Sequence, residues 1–321
     1  MKTPTNPGRT TIWSALFAIL ILLLFSMAPV SAKNPSSEGV TSAYAADSAI
    51  QAPAPAVLAS GDLLGLSGRL RAFMGTTDVL DENPVLKTAL ASAQNESPVT
   101  SWPKLPTAEG DSFTVIPLVP LDGADEAGFG RYHVGSWPQD AMTASSARYA
   151  PPRGFIGVTE ENQETNVSEH FMVKDFLTHD QGNVWPKVLV IQPRLLDKLE
   201  LLRAELEKEG LPNKLHVMSG FRTPQYNAQG VGKGGRAGHS RHMYGDAADV
   251  FVDADGNGWM DDLNGDGKVD IRDSRILKAA AERVEANFPT LIGGIGTYPS
   301  NGVHGPFVHV DARGVKARWG E

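Results

Sequence analysis

The hydrophobic positions change their period several times along the chain, and each change marks an element. From Ser112 onward, short apolar runs at Phe113–Val119, Tyr132–Val134 and Phe155–Val158 lie between Gly and Pro, which predicts short strands. Between Pro193 and Gly210 the period becomes helical. Leu195, Leu199, Leu202 and Leu206 share one face, proline opens the helix, and Gly210 and Pro212 close it. Leu215 and Val217 then alternate with polar neighbours, a strand running into the turn Ser219-Gly-Phe-Arg-Thr-Pro. Ala247–Val252 reads as a core strand. A second helix is predicted from Asp273 to Asn287, with Ile276, Ala280, Val284 and Phe288 on its apolar stripe and Pro289 as its stop. Short strands follow near Ile292 and at Phe307–Val310. Helices and strands mixed without strict alternation predict an α+β fold.

The front of the chain has another character. Lys2 and Arg9 precede an apolar run from Ala15 to Phe25, and Val30-Ser31-Ala32 follows, so residues 1–32 read as a secretory signal cleaved before Lys33. The run is shorter than the roughly 20 residues a comfortable span needs. Left uncleaved, this segment would be the chain's membrane contact. Residues 33–110 are expected to be an Ala/Ser/Pro-rich flexible spacer, with short helices over Leu63–Met74 and Pro84–Ala93. Residues 111–166 are expected to be a β-rich support, and residues 167–321 the regular domain.

Charge and composition narrow the function. There are 29 Lys plus Arg against 37 Asp plus Glu, a net charge of −8, which argues against nucleic-acid binding. The absence of cysteine excludes disulfides, thiolate metal ligands and a thiol nucleophile. The signal implies an exported protein, expected in the periplasm or cell envelope or secreted.

The most informative chemistry is in Ser240-Arg-His-Met-Tyr-Gly-Asp-Ala-Ala-Asp249. His242 and Asp249 are potential zinc ligands separated by a glycine-bearing turn, and His309 lies on a later strand, facing away from Val308 and Val310. Two imidazoles and a carboxylate leave zinc's fourth position for water, the catalytic arrangement. Any one of these residues alone is more simply a satisfied polar group.

A second cluster follows. Between Asp253 and Asp273 the chain carries seven Asp against Lys268 and Arg272. Asp262, Asn264, Asp266, the Lys268 carbonyl, Asp270 and Asp273 fall at positions 1, 3, 5, 7, 9 and 12 of an EF-hand-type calcium loop, with Gly267 at the sharp turn and Asp in place of the usual Glu at the end. Asp253, Asp255, Asn257 and Asp261 begin a second, overlapping copy. One calcium ion is expected here, with a possible site for a second, in a structural role that fixes the start of the next helix.

Three motifs in order, Ser219-Gly-Phe-Arg-Thr-Pro-Gln-Tyr-Asn227, Ser240-x-His242-x-x-Gly245-x-Ala247-x-Asp249 and Val308-His309-Val-Asp311, resemble the M15 zinc peptidases. These are D-Ala-D-Ala carboxypeptidases and dipeptidases, whose fold is shared with the hedgehog signalling domain. The C-terminal run Phe307-Val-His-Val-Asp-Ala-Arg-Gly-Val-Lys-Ala-Arg-Trp319 is most similar to the exported murein endopeptidase branch. The resemblance covers Val167 to Trp319. It implies a hedgehog/DD-peptidase-like zinc domain that hydrolyses peptidoglycan peptides, with zinc on His242, Asp249 and His309. It further implies that Arg222 pairs with a substrate carboxylate or with the oxyanion, and that Ser240 orients the ligand loop. The family often has Glu or Asp three residues before the last zinc histidine, where this chain has Pro306. Asp311 and His304 are the nearby candidates for the general base. A module that keeps the cleft but only binds peptidoglycan or a protein partner is the alternative, as is a calcium-dependent structural protein.

Overall fold

The computed structural model describes residues 65–75, 101–106, 112–121, 130–138, 147–232 and 235–320. The expected signal and the helix expected at Pro84–Ala93 lie outside them. Three short strands open the described chain: β1 (Ala72–Gly75), β2 (Lys104–Pro106) and β3 (Ser112–Pro117). They form one sheet in the order β1-β3-β2, with β1 parallel and β2 antiparallel to β3. Two expectations are corrected here. The stretch expected to be helical to Met74 is a turn over 65–68 followed by β1, and the expected spacer contributes two strands. The cause is long-range pairing. Ala72 and Lys104 both lie opposite Thr114, and local composition shows nothing of that.

β4 (Val119–Pro120), β5 (Gly154–Val158) and β6 (Lys187–Leu189) make a second antiparallel sheet. Tyr132–Val134, expected as a strand, is mostly irregular chain, with Tyr132 in an isolated bridge and Tyr132 and Val134 buried in the core.

The larger sheet carries the chemistry. It consists of β7 (Leu215–Ser219), β8 (Ala247–Val252), β9 (Gly294–Tyr298), β10 (Phe307–Asp311) and β11 (Ala317–Trp319), in the order β11-β9-β10-β8-β7. Helix α1 spans Pro193–Lys208, the short α2 spans Pro224–Ala228, and α3 spans Ile271–Asn287. α3 packs on α1 and against β8, β9 and β10. Its buried residues include Leu277, Ala280, Ala281 and Val284, so the apolar stripe is centred on Leu277 rather than Ile276.

α1 is buried on more than its leucine face. Asp197 accepts the N–H groups of Leu66 and Ser67, and Glu200 accepts the Ser168 hydroxyl and the His170 backbone N–H. Lys198, fully buried, donates to Glu285 Oε1 at 2.6 Å and to the carbonyl of Asp311 at 2.6 Å. A buried ammonium without partners would be strongly unfavourable, so this lysine ties α1 and α3 to the end of β10. Thus α3 packs on the sheet and α1 packs on α3.

Candidate metal centre

One rung of the sheet crosses all five strands: Ser219 lies opposite Asp249, Asp249 opposite His309, His309 opposite Gly296, and Gly296 opposite Trp319. Alternation therefore points Asp249 and His309 to the same face. Gly296 leaves room for the Trp319 indole, which an added Cβ would strike. That indole lies 5.2 Å from the His309 ring, centroid to centroid.

His242 arrives from a short 3-10 turn, Arg241–Tyr244, which ends at Gly245 in the left-handed region (φ 71°). A Cβ on Gly245 would also come within 2.5 Å of the Val190 carbonyl, so the turn between the two ligands requires glycine twice over. Buried Ser240 starts this turn, and its carbonyl accepts the Met243 N–H.

The donor atoms converge. His309 Nδ1 lies 2.8 Å from Asp249 Oδ1 and 3.2 Å from His242 Nε2, and His242 Nε2 lies 3.2 Å from Asp249 Oδ1. All three residues are buried. Their outward nitrogens are engaged: His242 Nδ1 is 2.7 Å from the Gly220 carbonyl, and His309 Nε2 is 3.1 Å from Asp311 Oδ2. Those acceptors fix both tautomers and turn two imidazole lone pairs and a carboxylate toward one point. Three acceptors facing one another need a cation or a proton between them, so the donor set fits a zinc ion. In the metal-free state the proton sits on His309. Burial works to lower its pKa, but hydrogen bonds to Asp249 and Asp311 raise it to about 8. Burial lowers His242. Burial would raise Asp249, yet the two imidazoles hold it well below the usual carboxylate range.

Arg222 is placed differently from the expectation of a free substrate clamp. Its Nη2 donates to Asp249 Oδ2 at 2.5 Å and its Nε to Ser219 Oγ at 2.9 Å. The charge opposite it is thus a ligand carboxylate, and Arg222 holds that carboxylate with Oδ1 turned toward the histidines.

Asp311 shares the face of His309, as alternation required, but lies behind it. It is 0% exposed. Its Oδ1 accepts from the backbone N–H groups of Gly294 and Arg313, and the Arg313 guanidinium covers both oxygens. Burial would raise this carboxyl, and the hydrogen bonds from His309 and Arg313 outweigh it, keeping it ionised far below the usual range. Such a carboxylate orients His309 and does not meet a water in the cleft. His304 stays outside the buried group. Its Nδ1 is 2.7 Å from the Gly305 carbonyl, its Nε2 is 2.8 Å from Asn301 Nδ2, and its ring packs edge-on against Phe307.

The acidic insert forms two similar loops. Asp253 accepts the N–H groups of Gly256, Asn257 and Gly258, and Asp262 those of Gly265, Asp266 and Gly267. The two loops then diverge. Asp253, Asp255 and Asp261 form a group whose carboxylate oxygens lie within 4.8 Å of one another. In the second loop Asp266 and Asp270 pair with Arg272, and fully buried Asp273 accepts the N–H groups of Leu263, Asn264 and Asp270 as part of the cap of α3. The expected position-12 ligand is therefore a helix-capping residue, and the loop expected to be secondary holds the convergent acids.

Sequence reasoning passed over Gly220, Tyr298 and Arg313. Arg313 lies in the C-terminal run, two residues after Asp311, and Gly220 lies within the motif Ser219–Asn227, whereas Tyr298 had no signal.

A mixed α+β domain thus brings two histidines and an aspartate together as a donor set suited to a metal ion. Residues 165–260 match the sequence model of the family described as Peptidase M15, so the chain is similar to that family over this span. No curated protein matches the chain. The matched span includes Arg222, His242 and Asp249 and ends before His309, which the geometry brings to the group.

Proposed function

We propose that the protein is a zinc-dependent peptidase that hydrolyses peptide bonds of peptidoglycan stem peptides or cross-links in the cell envelope, to which the N-terminal signal directs it. The observation that carries this reading is the convergence of His242 Nε2, His309 Nδ1 and Asp249 Oδ1, with every outward atom already held. His242, Asp249 and His309 would hold zinc, which would lower the pKa of a bound water from 15.7 toward about 7 and polarise the scissile carbonyl.

The chain's own residues prepare and complete that chemistry. Asp311 and Arg313 fix the His309 ring, and Arg222 and Ser219 fix Asp249. With Pro306 where an acid often stands, His304 is the residue assigned to accept the water's proton and pass it to the leaving amine. Its Nδ1 faces a carbonyl and carries the hydrogen, so Nε2 is the basic atom, freed when Asn301 releases it. Calcium belongs to this proposal at Asp253, Asp255 and Asp261, as a structural ion.

Cross-linked muropeptides incubated with the mature protein and analysed by mass spectrometry test the reading. Zinc-dependent products that a His242→Ala variant does not form are expected, and their masses identify the bond. Zinc binding without cleavage would instead establish a binding module, the reading that Pro306 favours.

A further inference from the structure

Tyr298 stands two rungs along the sheet from His309 and so on the same face, opposite Phe307. Its ring stacks on Phe307 at 4.5 Å with 7° between the planes. The Trp319 indole Nε1 donates to the Tyr298 hydroxyl at 2.8 Å. An indole N–H only donates, so the phenol oxygen accepts, and its own hydrogen must be given elsewhere. Among the described residues nothing receives it. The residue is 36% exposed, which is where a ligand would meet it. Trp319 also rests against His309, so the same indole locates both the phenol and a metal-ligand ring.

We propose that Tyr298 is a further catalytic residue, whose O–H donates a hydrogen bond to the substrate's carbonyl oxygen as that oxygen gains negative charge. When water adds to the carbonyl carbon, the C–O bond forms and the π electron pair moves onto the oxygen. Tyr298 stabilises that charge and keeps its own proton throughout. Burial pushes the Tyr298 phenol above its ordinary pKa, so it remains a donor through the neutral range. Trp319 is the positioning residue, because its N–H occupies one lone pair and so aims the hydroxyl. A preorganised donor of this kind acts without reorganising during the reaction. The proposal rests on the peptidase reading for the identity of the substrate.

The test uses a phosphinate analogue of D-alanyl-D-alanine, whose tetrahedral anion mimics the charged oxygen, bound to the zinc-loaded protein. Tyr298→Phe, which keeps the stack on Phe307, is expected to bind it on the order of 10²-fold more weakly, with zinc content and melting temperature unchanged. Trp319→Phe keeps a ring beside His309 but loses the N–H, and is expected to fall between the two. On a cleaved muropeptide, Tyr298→Phe lowers kcat and leaves KM nearly unchanged. Equal phosphinate affinity in wild type and Tyr298→Phe, or no phosphinate binding by the wild type, overturns the proposal. Weaker phosphinate binding in the variant, without any hydrolysis by the wild type, would sustain the donor while removing the peptidase reading.

Discussion

Two groups of acidic and basic side chains in this protein invite a metal, and they are built in opposite ways. At the His242–Asp249–His309 centre, the charged partners stand behind the ligands: Arg222 behind Asp249, and Asp311 with Arg313 behind His309. The front is left with converging lone pairs. In the second acidic loop, Arg272 and the start of α3 take up the carboxylates themselves, and convergence is lost. The first loop is intermediate. Its three aspartates converge, but its stabilising groups are backbone N–H donors on an exposed turn. Spacing along the chain brings candidate ligands near one another, and what stands behind each ligand decides whether the ligands face a common point.

The sharpest way to break this contrast is to remove the support of the centre without touching a ligand. Asp311→Ala is expected to weaken zinc binding by about 10- to 100-fold, measured by competition with a chromogenic chelator. Asp311→Asn, which keeps an acceptor for His309, is expected to lose less. Unchanged affinity in both would show that the buried carboxylate does not orient the ring.

A smaller effect, about tenfold per pH unit, follows from the proton on His309. That proton is held up to about pH 8 in the metal-free protein, and zinc must displace it. The proton competes with the metal, so zinc affinity should fall as the pH drops below about 8 and level off above it. Affinity that stays flat between pH 6 and pH 9 would mean that His309 is already neutral.

The smallest effect separates the two acidic loops. Calcium is expected to raise the melting temperature by several degrees, on the order of 5 °C at saturating ion. Asp255→Asn should abolish the shift and Asp270→Asn should retain it. The reverse pattern would return the ion to the second loop.

Much of the centre is legible in the residue pattern alone. His242 and Asp249 announce themselves through a glycine-bearing turn, and β8 spans the predicted Ala247–Val252 because six consecutive residues there are buried. His309 and Asp311 follow from strand alternation. The partners across the sheet are not legible. Arg222 meets Asp249 beyond the end of β7, where a register shift between Val217 and Ser219 sets Ser219 opposite Asp249. β11 is a three-residue edge strand, too short to show a period, so the place of Trp319 over Gly296 could not be read. The N-terminal strands escape because each depends on a partner that local sequence does not name, whereas the cap made by Asp270 and Asp273 is a local pattern whose spacing also fits a calcium loop.

Zinc K-edge X-ray absorption at one equivalent of metal asks most directly which of the two groups is the metal centre. The predicted result is a four-coordinate ion with two imidazole nitrogens and two light oxygens at about 2.0–2.2 Å. A shell of six oxygens without imidazole would place the ion in the acidic insert, and a third imidazole would add a further histidine to the ligand set. Either would contradict the assignment of His242, Asp249 and His309 as the metal centre with a position left for water.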